Sequence, residues 1–296
     1  MDLLLYLLIY PFLWLLSLLP FRVLHLISDF FFLIIYYVVG YRRKVVQENL
    51  KLSFPDKNPE ELKEIEYNFF KHFTDLFFVE MVKSFSISKK EVAKRYQFEN
   101  IELINGLFKD GKSVILMLSH HANWEWVVSI QMFVPEKAYG AYARIKNKYF
   151  NRKMLTSRGR FGSTLIGKND IVKEVARNKI NGVLAVYGLI SDQSPMVKNT
   201  RYWGSFFNNK VPVHFGAEML AKRHNFSVVF METKRVKRGF YSTKFSLITH
   251  DAKNTNDQEI TDAYLRRLEQ VVTASPELYL WSHNRFKHKD KAELFA

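Results

Sequence analysis

The first forty residues constrain this chain most. Residues 3–21 carry no charge and are mostly Leu, with Pro11 inside the run and Pro20 near its end. A helix that crosses a bilayer needs about 20 apolar residues, so the run is of marginal length. A second apolar stretch, residues 23–39, contains His25, Ser28 and Asp29, and Tyr41-Arg42-Arg43-Lys44 follows at once. A cleaved signal peptide does not fit, because Asp2 is the only early charge and no small-residue cleavage site follows. Residues 1–40 therefore read as membrane anchor and interfacial helices, ending in a basic stop on the cytoplasmic side. Burial of both stretches in a soluble core is the other reading, and it demands much covering surface.

The remainder, residues 41–296, is long enough for one catalytic domain with a full core. Residues 45–110 look helical, and Asn58-Pro59-Glu60-Glu61 has the form of a helix start. From residue 113 onward, apolar runs at 114–118, 138–143, 163–166, 183–190, 227–231 and 241–248 read as strands. Helical patterns at 147–156, 171–177, 213–223 and 257–273 alternate with them. This alternation predicts an α/β fold with a mixed, partly parallel sheet flanked by helices.

The stretch richest in chemistry is Ser119-His120-His121-Ala122-Asn123-Trp124-Glu125-Trp126, between the 114–118 strand and a run that can continue as a helix. In α/β proteins ligands gather outside the carboxyl ends of strands. On one helix, His120 and Glu125 would point about 140° apart. They can face each other only if His120 stays on the loop and Glu125 enters the first helical turn. An imidazole paired with a carboxylate is a general base, suited to a hydroxyl that attacks an activated acyl group. The plainer reading is two polar loop histidines and a helix-start acid favoured by the helix dipole. A metallohydrolase using His120, His121 and Glu125 is a further reading.

The chain has no Cys, which excludes thiolate catalysis, Cys-ligated zinc and a disulfide scaffold. Its formal charge of +15 implies an anionic partner. Between Glu136 and Asp170 there is no acid but nine bases, Arg144, Arg158 and Arg160 among them, with aromatics interleaved. Such a stretch can bind single-stranded nucleic acid, or meet phosphates and anionic lipid. No nucleic-acid-binding module pattern accompanies it. Asp192-Gln193-Ser194-Pro195 follows an apolar run, so Asp192 can fix a base or an arginine, or simply start a turn. Pro276-Glu277 can start a helix that would put Trp281 and Arg285 on one face, with His283 pointing elsewhere. Residues 106–113 match the phosphate-loop pattern Gly-x4-Gly-Lys-Ser, but they follow a helical pattern and open a strand. That is the reverse of the required context, so they read as a helix-to-strand turn. No Gly-x-Ser-x-Gly of a serine hydrolase occurs.

Taken together, these stretches resemble the bacterial lipid A late acyltransferases, the lauroyl/myristoyl transferase family. His120 and Glu125 match that family's His-x4-Asp/Glu motif. Asn123-Trp124-Glu125-Trp126 agrees with its fuller form, Gly-His-Tyr-Gly-Asn-Trp-Glu-Trp. Ser119, His121 and Ala122 depart from it, which leaves His121 as a rival to His120. Arg158-Gly159-Arg160-Phe161-Gly162, Asp192-Gln193-Ser194-Pro195, and Pro276-Glu277 through Trp281, His283, Arg285 and Lys287 resemble further elements in the same order. So do Arg43, Asn49-Leu50 and Phe54-Pro55.

The resemblance implies a fold like that of glycerol-phosphate acyltransferases and an acyl-carrier-protein thioester as donor. It implies a hydroxylated acyl chain of a lipid A precursor as acceptor, and neither metal nor other cofactor. It places the enzyme at the cytoplasmic face of the bacterial inner membrane. His120 and Glu125 are then the catalytic residues, with Glu125 orienting His120, or Glu125 acting as the base with an arginine partner. Arg158, Arg160, Asp192, Gln193, Arg144 and Asn123 support substrate, phosphate or oxyanion. An aminolipid or glycolipid is the alternative acceptor, and a membrane-tethered nucleic-acid-binding protein the remote alternative.

Overall fold

The computed structural model describes residues 2–294. Seven strands form one sheet in the order β1-β9-β8-β2-β5-β3-β4. Its centre is β2 (Val114–Leu118), flanked in parallel by β5 (Ala185–Ile190) and β8 (Ser227–Lys237). On the β5 side follow β3 (Lys137–Tyr142) and β4 (Thr164–Gly167), also parallel. On the other side β9 (Phe240–Thr249) returns antiparallel to β8, and β1 (Tyr96–Phe98) pairs parallel with β9. The mixed sheet is as expected, and each of the six anticipated strands is present.

The strands are legible because both sheet faces are covered, which demands apolar side chains in succession rather than in alternation. All of β2 is buried. One face packs on Ile104, Leu107 and Phe108 of α6 (Glu102–Lys109) and on Ile130 of the 3₁₀ segment Trp126–Met132. The opposite face packs on α8 (Ile171–Ile180), α9 (Gly216–His224) and α10 (Glu259–Ala274), through Val175, Leu220 and Leu268. Each fully buried Leu, Ile or Val contributes about 1.5–3 kcal/mol. Residues 106–113 are indeed a helix-to-strand turn: α6 ends at Lys109, Gly111 takes φ 71°, and β2 follows.

Two local expectations are corrected. The 213–223 helix begins only at Gly216, because residues before it form a hairpin of β6 (Trp203–Phe206) and β7 (Asn209–Pro212). Its two-residue turn, Phe207-Asn208, has φ of 47° and 55°, as a type I′ turn requires. Pro276 starts one 3₁₀ turn, Pro276–Leu278, which does not continue as a helix through Trp281 and Arg285. Tyr279 instead makes an antiparallel bridge to His121, which forces the chain to run extended there.

At the N-terminus lie α1 (Asp2–Leu18) and α2 (Phe21–Leu33), the latter continuing as a π-helical turn, Ile34–Val39. Phe21–Val39 is long and apolar enough to cross a membrane by length and composition. Leu24, Ser28, Phe32 and Tyr36, spaced by four, face the protein. Leu26, Phe30, Tyr37 and Val38 are exposed, as are Leu4, Leu8, Phe12 and Leu15 of α1. The protein-facing side of α2 is fastened by charge. Arg238 bonds both Asp29 and Asp75, and Ser28 donates to Asp75 at 2.8 Å. Burial would raise the Asp75 carboxyl, but His25 and Arg238 bring it down to about 2. Asp75 ends α4 (Pro59–Asp75), whose start carries the expected cap: Asn58 and Glu61 bond each other's backbone.

Candidate active site

The chain leaves β2 at Leu118 and turns sharply. Leu280 N–H donates to the His120 carbonyl at 3.0 Å, and Ala122 N–H to the Leu278 carbonyl at 2.9 Å. Ala122 takes φ 54°, a left-handed conformation that a Cβ disfavours. Asn123 is fully buried, and its Oδ1 accepts the Trp126 N–H at 3.0 Å, which caps the 3₁₀ segment.

This turn separates the two histidines. His121 is buried, with Nδ1 3.2 Å from the Thr233 carbonyl and Nε2 3.1 Å from the Ser275 carbonyl. Burial lowers its pKa to about 4. It faces the core and does not line the cavity described below. Among the described residues no cluster of three or more metal-ligating side chains forms.

His120 points the other way. Its Nδ1 lies 2.9 Å from Asp192 Oδ1, and its backbone N–H donates to Asp192 Oδ2 at 3.0 Å. Nε2 makes no hydrogen bond among the described residues. Burial would raise the Asp192 carboxyl, but the adjoining His120 holds it below the usual range, so it stays ionised. An anionic acceptor at Nδ1 fixes the tautomer that leaves Nε2 as the basic nitrogen.

Glu125 does not orient His120. Both of its oxygens bond Arg158, at 2.6 Å to Nε and 2.6 Å to Nη2. The expected imidazole–carboxylate pair exists, but its carboxylate comes from the end of β5, not from the same motif. Arg158 lies at the end of α7 (Lys148–Gly159).

His120, Glu125, Arg158 and Gln193 line a cavity of about 890 Å³, together with many apolar side chains of β2, β3 and β5. The other four expected residues lie outside its lining. Asp192 is buried and meets the site through His120. Arg144 is exposed and paired with Asp170. Arg160 donates to the Ile87 carbonyl at 3.0 Å. Asn123 serves the cap.

The C-terminal stretch has a larger part than its local pattern suggested. His283 Nε2 accepts the Ser194 N–H at 3.1 Å, and the Ser194 hydroxyl donates to the Arg285 carbonyl at 2.9 Å. These bonds clamp the loop that carries Asp192. Burial lowers the His283 pKa to about 4, which keeps its Nε2 an acceptor. Tyr264 of α10 adds a bond from its hydroxyl to the Leu118 carbonyl at 2.7 Å.

An imidazole held by a carboxylate and a guanidinium paired with another carboxylate line one largely apolar cavity, an arrangement that suits acyl transfer. The sequence model of the bacterial lipid A biosynthesis acyltransferases matches residues 2–288, and the chain belongs to that family. It is 21% identical over 247 residues to the lipid A biosynthesis lauroyltransferase of Escherichia coli (strain K12), a match covering 83% of this chain and 79% of that protein. The protein is an acyltransferase.

Proposed function

We propose that the enzyme moves a fatty acyl chain from an acyl-carrier-protein thioester to a hydroxyl of a lipid A precursor, as a secondary acylation. The observation that carries this reading is His120, held at Nδ1 by Asp192 and unengaged at Nε2, at the cavity. Nε2 takes the proton of the acceptor hydroxyl as the oxygen attacks the thioester carbonyl. The tetrahedral oxyanion then collapses, the carbon–sulfur bond breaks, and the imidazolium returns its proton to the departing thiolate. Ester and free thiol are the products. Arg158 gives Nε and Nη2 to Glu125, so Nη1 remains for the developing oxyanion. Glu125 positions Arg158.

The reading seats the enzyme on the cytoplasmic face of the bacterial inner membrane. The exposed apolar faces of α1 and α2 supply the contact area. Lys146, Lys148 and Arg152 are exposed and form no ion pairs among the described residues, which suits an acidic carrier protein. The test pairs detergent-purified enzyme with a panel of acyl-carrier-protein thioesters and the tetra-acylated precursor, with mass spectrometry of the lipid. A one-chain mass gain that disappears in His120→Ala supports the reading. No gain with any donor, or full activity in His120→Ala, overturns it.

A further inference from the structure

Two glycines stand in the middle of the sheet. β3 and β5 are interior strands, and each carries the dipeptide Tyr-Gly, Tyr139-Gly140 in register with Tyr187-Gly188. On one face of the sheet the two tyrosine rings are buried and stack at 5.4 Å. On the other face, under the Trp126–Met132 segment, one rung reads Leu165, Gly140, Gly188, Leu116 across β4, β3, β5 and β2. Two adjacent strands thus leave their side bare at the same level.

Glycine inside a strand weakens it, and it marks a bulge or bend, or a place where a ligand or another backbone comes close. Pairing runs unbroken through this rung, and neither glycine takes a positive φ. A Cβ on Gly140 would meet only the tip of Leu165, at 3.1 Å. One on Gly188 would meet the tip of Leu118 at 3.3 Å and the carbonyl of its strand neighbour Tyr139 at 3.5 Å. The backbone geometry therefore does not require glycine, and no other chain segment crosses here. What lies over the pair is open space: both glycines are only half-buried, and all four residues of the rung line the cavity.

The rung lies two residues, about 7 Å, inside the Leu118–Ile190 strand ends, past which His120 stands. One rung further in, Ala138 and Val186 also line the cavity; both are buried, and with buried Ile130 they close it. Val127 and Val128 of the 3₁₀ segment and Met154 of α7 wall the helical side. An apolar trough thus leads from the base over two bare glycines to a closed end.

We infer that Gly140 and Gly188 set the length of acyl chain the enzyme accepts: the chain passes over them, and a side chain at either position shortens its space. The inference rests on the acyl-transfer reading above. Both substrates of that reaction carry acyl chains, the donor on its thioester and the acceptor on its hydroxylated arm, and either suits an apolar trough that opens at His120.

Steady-state kinetics of full-length Gly140→Ala, Gly188→Ala, Gly188→Val and Leu165→Ala test it. One arm uses saturated donors from short to long, and the other uses acceptors whose hydroxylated chain is short or long. The ratio of kcat/KM for long over short chains should fall about 10–100-fold in the glycine variants, for the substrate whose chain uses the trough. It should rise in Leu165→Ala, which removes the side chain leaning over Gly140. The arm that responds names the chain. Should Gly188→Val fail to fold, the alanine variants carry the test. A ratio unchanged in every variant, or a loss equal at all lengths, would overturn the inference and leave the glycines a packing role. Displacement of a fluorescent fatty acid by free fatty acids of rising length reads the trough without turnover. A length preference that shifts in the glycine variants, from an enzyme that transfers nothing, would uphold the trough and sink the acyl-transfer reading. No length preference, from an enzyme that does transfer, would count against the trough alone.

Discussion

Asp192 holds His120 at two points, one oxygen on the ring Nδ1 at 2.9 Å and the other on the backbone N–H at 3.0 Å. The ring and the loop that carries it are thus fixed by one buried carboxylate. Asp192→Asn keeps the size but presents a neutral amide, which removes the charge that favours the imidazolium and lets the other tautomer compete. We expect kcat to fall by about 10³–10⁴-fold with KM changed far less, as for other imidazole bases that lose their carboxylate. A kcat within tenfold of wild type would show that the tautomer is set by something else.

The Glu125–Arg158 pair makes a different prediction. It is bidentate and largely buried on the Glu125 side. Arg158→Lys keeps the charge and loses the fork, so activity should fall by about 10²-fold or more. Because each partner positions the other, Glu125→Gln and Arg158→Gln should be strongly non-additive. A double-mutant cycle on kcat/KM should return a coupling of about 1.5–3 kcal/mol. Additive losses would mean that the two residues act separately.

Much of this was legible in the chain, for physical reasons that also mark where legibility ended. The strands β2, β5 and β8 are buried on both faces and so are written as apolar runs. β1 has three residues, too few for a pattern, and its partner β9 lies far along the chain. The β6–β7 hairpin turns through Phe207-Asn208, without the glycine that usually signals such a turn. At the candidate site, the local pattern points to a pairing that differs from the one the fold makes. Glu125 is five residues from His120 and invited a local pairing, whereas Asp192 is 72 residues away. Only the parallel register of β2 with β5, Leu118 against Ile190, brings the two strand ends together. The clamp by His283 is hidden for a similar reason: Pro276-Glu277 has the form of a helix start, whereas a bridge between Tyr279 and His121 keeps the chain extended.

Ala122 stands where the family's motif has glycine, and it accepts φ 54° nonetheless. Glycine there would relieve about 1–2 kcal/mol of left-handed strain. It would also cost about 0.5–1 kcal/mol of backbone entropy and about 0.8 kcal/mol for the buried methyl. Ala122→Gly should therefore be near neutral, within about 1 kcal/mol, by thermal or denaturant unfolding. Ala122→Val adds a β-branched side chain at positive φ in a site with no exposure, and should cost about 3 kcal/mol or more. Equal stability of the two variants would show that the loop relaxes out of the left-handed conformation.

Glu80 lies in the core away from the cavity, accepting the Tyr241 hydroxyl at one oxygen while Oε2 has no partner among the described residues. Burial raises its pKa to about 8 from an ordinary value of 4.5. The folded protein keeps this proton between those values while the unfolded chain gives it up. The group's contribution to stability is therefore whole below about pH 4.5 and is lost as pH rises toward 8. Across that window the loss approaches about 1.4 kcal/mol per pH unit, before other groups add their own dependence. Glu80→Gln carries no such proton. Its unfolding temperature should sit near or below wild type at pH 5 and gain on it steadily to pH 8, by about 2–4 °C for each kcal/mol. Melting both proteins in the same detergent across that range checks it. A gap that does not change with pH would mean that Glu80 is ionised in the fold and has found a partner for its second oxygen.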